Sequence, residues 1–369
     1  MKQFKIFAMA FAALAMFSCS KESDVTVPGS NEPGEKAQLT INVTGEGNLK
    51  PASKATGAAA TTDVTVNNYI VFLFRDGGAL DCPPQHSTAA TAMTITTGTT
   101  AAKTAYVVAN TGVLASGPFK DVKTESQLKA VVGDLMSATD TASQTSTNLW
   151  MAGTGTISYG ISTDANKGTV TVALGFVAAK IELIVKDNRT SMTSGTISIV
   201  DNAVVLLFAG KDGKFFETKA NQATQTAFYS GDRNYTDPKT ATSSTALSDA
   251  VTTAFNANAG GTVFNHFYTF GNTSTTTPTI LAIKSTKTVN GTAGTIYYPM
   301  QFTAGDAGAN GTGIEPGNFY TVTFTLNGDV AGGGGGGTLD PEEPVVSSDI
   351  TVTVTAAKWA PITIDKEFN

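Results

Sequence analysis

The sequence has 369 residues, of which 41% are hydrophobic and 15% are charged, and its formal net charge is −6. This balance excludes a disordered chain, and the length favours two domains over one. The sequence contains no basic cluster, so it lacks the charge pattern of a protein that binds nucleic acid or an anionic membrane surface.

The N-terminal segment has the pattern of an export signal. Lys2 and Lys5 precede an apolar stretch at residues 6–17 that is too short to span a bilayer, and Cys19 follows closely. A small residue before a cysteine at this point resembles a bacterial lipoprotein signal. We therefore expect residues 1–18 to be a signal peptide, Cys19 to be lipidated and residues 19–36 to form a tether. An ordinary secretory signal with a nearby cysteine is the alternative.

Two segments near opposite ends of the chain carry almost the same strand pattern. Residues 39–44 read Leu-Thr-Ile-Asn-Val-Thr and residues 350–355 read Ile-Thr-Val-Thr-Val-Thr. Each alternates an aliphatic side chain with a short polar one, as in a strand with one buried face. Two candidates for one structural position predict strand exchange between subunits, which indicates a polymer-forming protein. The predicted inward residues are Leu39, Ile41 and Val43 in the first segment and Ile350, Val352 and Val354 in the second.

The two segments have different surroundings in the sequence. Residues 37–54 are expected to hold a removable first strand and a scissile loop, because the stretch after the strand has no apolar period. Residues 332–369 begin with the glycine run 332–337 and are expected to form a flexible linker and a donor strand. The alternative is a terminal strand that pairs within its own domain.

An internal repeat predicts the architecture. Residues 66–74 and residues 200–208 both end in a continuous apolar run, and an Asp-Gly pair follows each run, at 76–77 and 212–213. Such a run suits a strand in a sandwich core, and Asp-Gly suits a tight hairpin turn. An alternating strand precedes each copy. We therefore expect an all-β chain of two tandem β-sandwich domains, at residues 55–178 and 179–331. Chance similarity of two apolar strands is the alternative.

Further strands and two helices are also predicted. The apolar and β-branched content predicts strands at residues 105–109, 169–174, 181–186, 280–283, 296–300 and 320–326. Apolar residues near helical spacing predict helices at residues 125–137 and 246–256.

The order of these segments resembles the fimbrillins, the shaft subunits of Bacteroidales surface pili, which are also called type V pilins. The resemblance runs from end to end and is carried by several short motifs after the lipoprotein signal and first strand. These are Val107-Val108-Ala109-Asn110, Leu149-Trp150-Met151-Ala152-Gly153, Ala178-Ala179-Lys180-Ile181, Pro316-Gly317-Asn318-Phe319-Tyr320-Thr321-Val322 and a terminal strand that ends near Trp359.

The resemblance implies both a fold and an assembly route. It implies two transthyretin-like β-sandwiches, export to the outer membrane as a lipoprotein, and cleavage after a basic residue downstream of the first strand. Donor-strand polymerisation into an extracellular fimbria would follow. The implied partners are further copies of the same chain together with anchor and tip subunits, and the implied role is support of adhesion.

The bond between Lys54 and Ala55 is the expected scissile bond. Lys50 is followed by proline, where trypsin-like enzymes cut poorly, and Lys36 precedes the first strand, so cutting there would leave that strand in place. The first arginine is Arg75, at the end of a predicted strand. The family often uses an arginine, so this chain departs from the family pattern at its processing site.

Catalysis, metal binding and cofactor binding are not expected. The two histidines, His86 and His266, lack metal-ligand spacing, and the sequence has no nucleophile elbow, metalloprotease motif or phosphate-binding loop. A glycan-binding surface lipoprotein that does not polymerise is one alternative, since an aromatic face could form from Tyr229, Tyr235, Phe267, Tyr268 and Phe270. A fimbrial anchor or tip subunit is another. The C-terminal strand favours a shaft subunit, because a tip subunit has no need to donate one.

Overall fold

The computed structural model describes most of the predicted strands. The described residues are 34–45, 65–88, 92–115, 117–134, 148–187, 196–198, 204–217, 222, 225–229, 248–250, 262–289, 292–302, 313–326 and 350–358. Cys19, Lys54, Ala55 and the glycine run 332–337 lie outside them. Among the helices of the described residues, none is long and apolar enough to cross a membrane.

The first half of the chain forms one eight-stranded sheet. Its order is β3-β2-β5-β7-β9-β1-β4, with β8 also pairing with β9. The last two residues of β9 pair with β7, whereas its earlier residues pair with β1, so the sheet folds over one shared core. The strands of this half are β1 (Gln38–Gly45), β2 (Tyr69–Arg75), β3 (Gln85–Ser87), β4 (Met93–Ile95), β5 (Ala102–Ala109), β6 (Val132–Asp134), β7 (Met151–Thr156), β8 (Ser158–Tyr159) and β9 (Lys167–Phe176). Of these, β6 lies outside the eight-stranded sheet.

The second half forms two larger sheets around a second core. One has the order β16-β17-β10-β20-β21, and the other has the order β11-β18-β12 with β19 on β18. The strands are β10 (Ala179–Asp187), β11 (Thr196–Ser198), β12 (Val204–Leu207), β13 (Ala209–Gly210), β14 (Asp212–Lys214), β15 (Phe228–Tyr229), β16 (Ser248–Ala250), β17 (Thr262–Thr269), β18 (Ile280–Val289), β19 (Thr292–Gln301), β20 (Asn318–Leu326) and β21 (Ile350–Lys358).

The two halves repeat the same pairing plan. β1 is parallel to β9 and antiparallel to β4, and β10 is parallel to β20 and antiparallel to β17. β2 pairs with β5 as β12 pairs with β18. The expectation of an all-β fold with two sandwiches is therefore confirmed. The finer transthyretin-like description and the domain boundaries remain predictions.

A third cluster explains why β2 is apolar on both faces. Val71 and Leu73 face the first core, whereas Ile70, Phe72 and Phe74 face a second layer. That layer includes the short helix α1 (Glu125–Ala130), which begins with a capping box at Thr124, together with aromatic side chains from both halves of the chain. Its aromatic members include Phe119, Trp150, Phe215 and Phe270.

Three local predictions are wrong. The helix expected at residues 125–137 ends at Ala130, and the chain then forms β6, where the ring of Trp150 occupies the space that a side chain at Gly133 would need. Residues 248–250 of the helix expected at 246–256 form β16 instead. The Asp-Gly pair at 212–213 lies in β14 rather than in a turn. Gly213 is used there because a Cβ would lie 2.6 Å from the ring of Phe270.

Candidate functional site

The first strand, β1, is hydrogen-bonded on both sides. It pairs with β9 along its whole length, from Gln38 opposite Lys167 to Gly45 opposite Leu174, and with β4 over Leu39 to Ile41. We call the position between β9 and β4 the β1 slot. Removing β1 would leave unpaired backbone groups on two strands, which is a template for addition of another strand.

The inward face of β1 is apolar and mostly inaccessible to solvent. Leu39 and Ile41 are both 0% exposed, Ala37 is buried, and Val43 is partly buried against the same core. The predicted inward set therefore faces the core as the alternation requires. Burying two complete aliphatic side chains contributes about 3–6 kcal/mol, at roughly 1.5–3 kcal/mol each.

Leu39 lies in a socket between two glycines. A Cβ added at Gly98 would lie 2.8 Å from Leu39 Cδ1, and a Cβ added at Gly168 would overlap Leu39 Cδ2. The two δ-methyl groups therefore occupy space that any larger residue at either position would fill. We call this pair of glycines the Leu39 socket. This socket was not predicted from the sequence, although a glycine at an inward position of the alternating strand β9 indicates such a site.

The start of β1 is held by two neighbouring loops. The amide of Ala37 donates to the carbonyl of Gly98 at 3.0 Å, and the amide of Thr100 donates to the carbonyl of Glu35 at 2.8 Å. The amide of Gln38 donates to the carbonyl of Asn166 at 2.9 Å. The backbone thus fixes the direction in which the chain approaches the slot.

A buried polar network supports the loop that holds β1. The carboxylate of Asp81, whose side chain is fully buried, accepts from the amide and hydroxyl of Thr99 at 2.6 Å each and from Arg75 Nε at 2.8 Å. The hydroxyl of Tyr159 lies 2.9 Å from the carbonyl of Thr99 and 2.8 Å from that of Ala102. Burial, with a smaller effect from the charge of Asp81, raises the pKa of Tyr159 to about 12.

Cys82, the cysteine that lies within the described residues, follows Asp81 of this network directly in the sequence. It is buried in the first core, and burial raises the pKa of its thiol. A buried, neutral thiol is unreactive, so its role here is packing.

The predicted donor strand lies in the other half of the molecule. β21 forms the edge of the second-half sheet and is antiparallel to β20, with Ile350 opposite Leu326, Val352 opposite Phe324 and Val354 opposite Val322. The structure therefore does not bring the two similar strands together in one chain. Use of β21 by a neighbouring subunit remains a prediction.

Three of the five aromatic residues considered for a glycan-binding face are buried. Phe267, Tyr268 and Phe270 are at most 1% exposed and belong to the core clusters. Tyr235 lies outside the described residues. The alternation of these aromatics reflects packing on both faces of β17 and the segment after it.

The two histidines lie in different sheets. His266 Nε2 lies 3.0 Å from a carboxylate oxygen of Glu182, across the β10–β17 pair. His86 lies in the short strand β3. Within the described part of the chain, no group of three or more His, Cys, Asp and Glu side chains is placed to hold a metal ion.

Comparison with known proteins gives matches over most of the chain. A sequence model of the major fimbrial subunit protein (FimA) matches residues 37–183, and a model of the C-terminal domain of FimA-like major fimbrial subunit proteins matches residues 178–359. No match was found among curated proteins.

Solved structures show the same fold. A proposed cell adhesion protein from Bacteroides eggerthii is 59% identical, with a TM-score of 0.74, and the alignment covers 90% of this chain and 100% of that one. A proposed cell adhesion protein from Parabacteroides distasonis is 19% identical, with a TM-score of 0.58, over 90% of this chain and 99% of that one. A second from the same species is 14% identical, with a TM-score of 0.51, over 88% and 99%.

Proposed function

The chain belongs to the fimbrillin family of FimA-like major fimbrial subunit proteins, and from that premise we propose that it forms the shaft of a fimbria by donor-strand exchange. Family membership gives it a structural role in a cell-surface fimbria. The proposal adds the route: export as a lipoprotein precursor, proteolytic loss of β1, and insertion of a neighbouring copy's C-terminal strand. A structural subunit of this kind needs no catalytic site, metal or cofactor.

The observation that carries the proposal is the position of β1. This strand lies at the start of the described part of the chain, yet it fills a core position in the first sandwich and is paired on both sides. Its counterpart β10 joins the two sandwiches, whereas β1 is joined to the strands that follow it through residues 46–64. One cut in that stretch separates β1 covalently from every later strand.

The proposed sequence of events assigns a role to each predicted site. Cys19 carries the lipid that holds the precursor in the outer membrane. Cleavage between Lys54 and Ala55 detaches the segment that contains Leu39, Ile41 and Val43. Ile350, Val352 and Val354 of another copy then enter the β1 slot. Because one surface of each subunit binds a different surface of the next, the contact produces an open filament rather than a closed dimer.

The partners follow from the same arrangement. Most contacts of a shaft subunit are with copies of itself, and an anchor subunit and a tip subunit would end the filament. The similarity to a proposed cell adhesion protein from Bacteroides eggerthii supports a role in adhesion. The ligand that the fimbria binds would lie on the surface of another bacterial cell or of a host.

The first experiment combines N-terminal sequencing with gel analysis of protein sheared from cells. Mature protein should begin at Ala55 and run as a ladder that resists detergent without boiling. Lys54→Gln should block processing and remove the ladder, whereas Lys36→Gln should not, because a cut at Lys36 would leave β1 in its slot. Protein that begins at Cys19 and forms no ladder would refute the proposal.

A second pair of variants tests the donor strand. Val352→Asp places a charge at a predicted inward position and should abolish the ladder while processing at Lys54 continues. Thr353→Asp places the same charge at the neighbouring outward position and should leave the ladder in place. Equal ladders from both variants would show that β21 is not the donor.

A further inference from the structure

We propose that the donor strand enters the β1 slot parallel to β9, from the end marked by Gln38 and Lys167, with Ile350 in the position of Leu39. The inference rests on the proposed strand exchange and adds its direction and register. It also assigns the face around Ile161 as the surface that contacts the neighbouring copy.

The Leu39 socket selects the register. Both glycines of the socket are approached by a δ-carbon of Leu39, so a side chain that ends at its γ-carbons leaves the socket underfilled. Of the three donor residues, Ile350 is the one with a δ-carbon. Placing it in the socket aligns Val352 with Ile41 and Val354 with Val43. The opposite direction would put Val354 in the Leu39 socket, and valine has no δ-carbon to fill it.

One end of the slot is covered by the chain itself. There β1 ends at Gly45, opposite Leu174, and the chain after β9 continues through Val177 and Ala178, which are both buried. The amide of Gly317, from the second half of the chain, donates to the carbonyl of Ala178 at 3.2 Å. Phe319 and Tyr268 of the second half also belong to the first core cluster, along with Phe176. A neighbouring subunit therefore has little access at this end.

The other end of the slot carries an exposed apolar side chain. Residues 160–166 connect β8 to β9 and hold Gln38 through the carbonyl of Asn166. Ile161 in this loop is 85% exposed, more than any other large hydrophobic residue in the described part of the chain. Contact with a second copy at this end would remove the Ile161 side chain from water.

The position of β21 in the donor's sequence determines which end of the β1 slot faces the body of the donor subunit for each direction of insertion. Both sandwiches of the donor subunit, from β2 to β20, precede β21 in the sequence. The body of the donor subunit therefore lies at the end of the slot where Ile350 enters. Parallel insertion puts that body against the face around Ile161, whereas antiparallel insertion puts it against the second sandwich of the acceptor.

Pairs of cysteine variants test the direction. Thr169 and Thr171 face outward on β9, opposite Thr40 and Asn42. Parallel insertion in the proposed register puts Thr351 opposite Thr169 and Thr353 opposite Thr171, whereas the reverse direction exchanges these partners. Neighbouring strands lie about 4.8 Å apart, which suits a disulfide. Two full-length chains, each with one new cysteine, are expressed together, and the fimbriae are oxidised and analysed without reductant.

We expect the pairs 351/169 and 353/171 to give several-fold more cross-linked dimer than the pairs 351/171 and 353/169. Each variant alone is the control. A detergent-resistant ladder with the reverse preference, or with no cross-link from any pair, would overturn the direction and register while leaving strand exchange intact. Loss of the ladder from the unmodified chain would overturn strand exchange and this inference with it.

A charge at position 161 tests the contact surface. Ile161→Asp should shorten the ladder several-fold, whereas Val113→Asp should not, because Val113 is 55% exposed but follows the far end of β5. Both side chains are exposed, so the fluorescence of buried Trp150 should be unchanged in each variant. Equal ladders from the two variants would overturn the assignment of the surface.

Discussion

Leu39→Ala should weaken the precursor far more than Val43→Ala on the same strand. Leu39 is 0% exposed, and its two δ-carbons fill the space above Gly98 and Gly168. Truncation to alanine removes those contacts and leaves a cavity that the surrounding sheet fills only in part. We expect a loss of about 3–5 kcal/mol in the free energy of unfolding. Val43→Ala, at a partly buried position, should cost about 1–2 kcal/mol.

A second substitution tests whether the socket is the cause. Gly168→Ala introduces a Cβ that overlaps Leu39 Cδ2 and lies 2.9 Å from Tyr159 Cε1, so alone it should cost about 1–3 kcal/mol. When Gly168→Ala is combined with Leu39→Ala, the clash with Leu39 Cδ2 disappears and the new Cβ fills part of the cavity. The double variant should therefore be more stable than the sum of the single changes predicts, by about 1–2 kcal/mol.

Urea unfolding of the full-length precursor, followed by fluorescence, measures these differences. Trp150 is fully buried in the first half of the chain and reports on it. Gly175→Ala is the control on the same strand, since a Cβ there meets nothing within 4 Å, and it should be neutral or slightly stabilising. A loss from Leu39→Ala no larger than that from Val43→Ala, or strict additivity with Gly168→Ala, would refute the socket.

Three further predictions concern polar groups in the first half of the chain. Asp81→Asn removes a buried charge from Arg75 and should cost about 2–3 kcal/mol in urea unfolding, whereas Lys167→Met, which breaks an exposed pair with Asp164, should leave the unfolding midpoint unchanged. Tyr159 has its pKa raised to about 12 in the folded chain, against about 10 unfolded, so the folded state retains this proton more strongly. Stability that is complete below pH 10 should therefore fall as the pH rises towards 12. The stability of the Tyr159→Phe variant should fall less steeply with pH than that of the unmodified chain over this range. Parallel curves of stability against pH would contradict the reasoning. Asn110 has a φ of 65° and bonds to Thr65, Asn67 and Leu149, so both Asn110→Gly and Asn110→Ala should lower the melting temperature. The alanine variant should be the less stable by about 1 kcal/mol, because only glycine adopts this backbone freely; equal stability of the two would argue against a backbone role.

Several features were predictable because they depend on the local periodicity of apolar residues. The alternation of residues 39–44 predicted both the strand and its buried face, and the structure has β1 with Leu39 and Ile41 inward. The continuous apolar run after residue 66 predicted a strand buried on both faces, as β2 is. Strand period and burial depend on neighbouring residues in the sequence, so one chain contains enough information for both.

Predictions that depended on the structural role of a single residue were less successful. The Asp-Gly pair at 76–77 does mark a turn, with a φ of 85° at Gly77, but the identical pair at 212–213 lies inside β14. Both glycines look alike in sequence. The first is needed for a backbone angle, whereas the second is needed because the ring of Phe270, more than fifty residues away, packs against it.

The sequence by itself determined the all-β class, the repeated plan, the apolar face of β1 and the similarity between β1 and β21. Only the tertiary structure decided that β1 lies between β9 and β4, that Gly98 and Gly168 form a socket for Leu39, and that Asp81 supports the loop above it. The physical reason is distance along the chain. Periodicity is set by backbone geometry within a few residues, whereas a socket depends on which distant side chains close packing brings together.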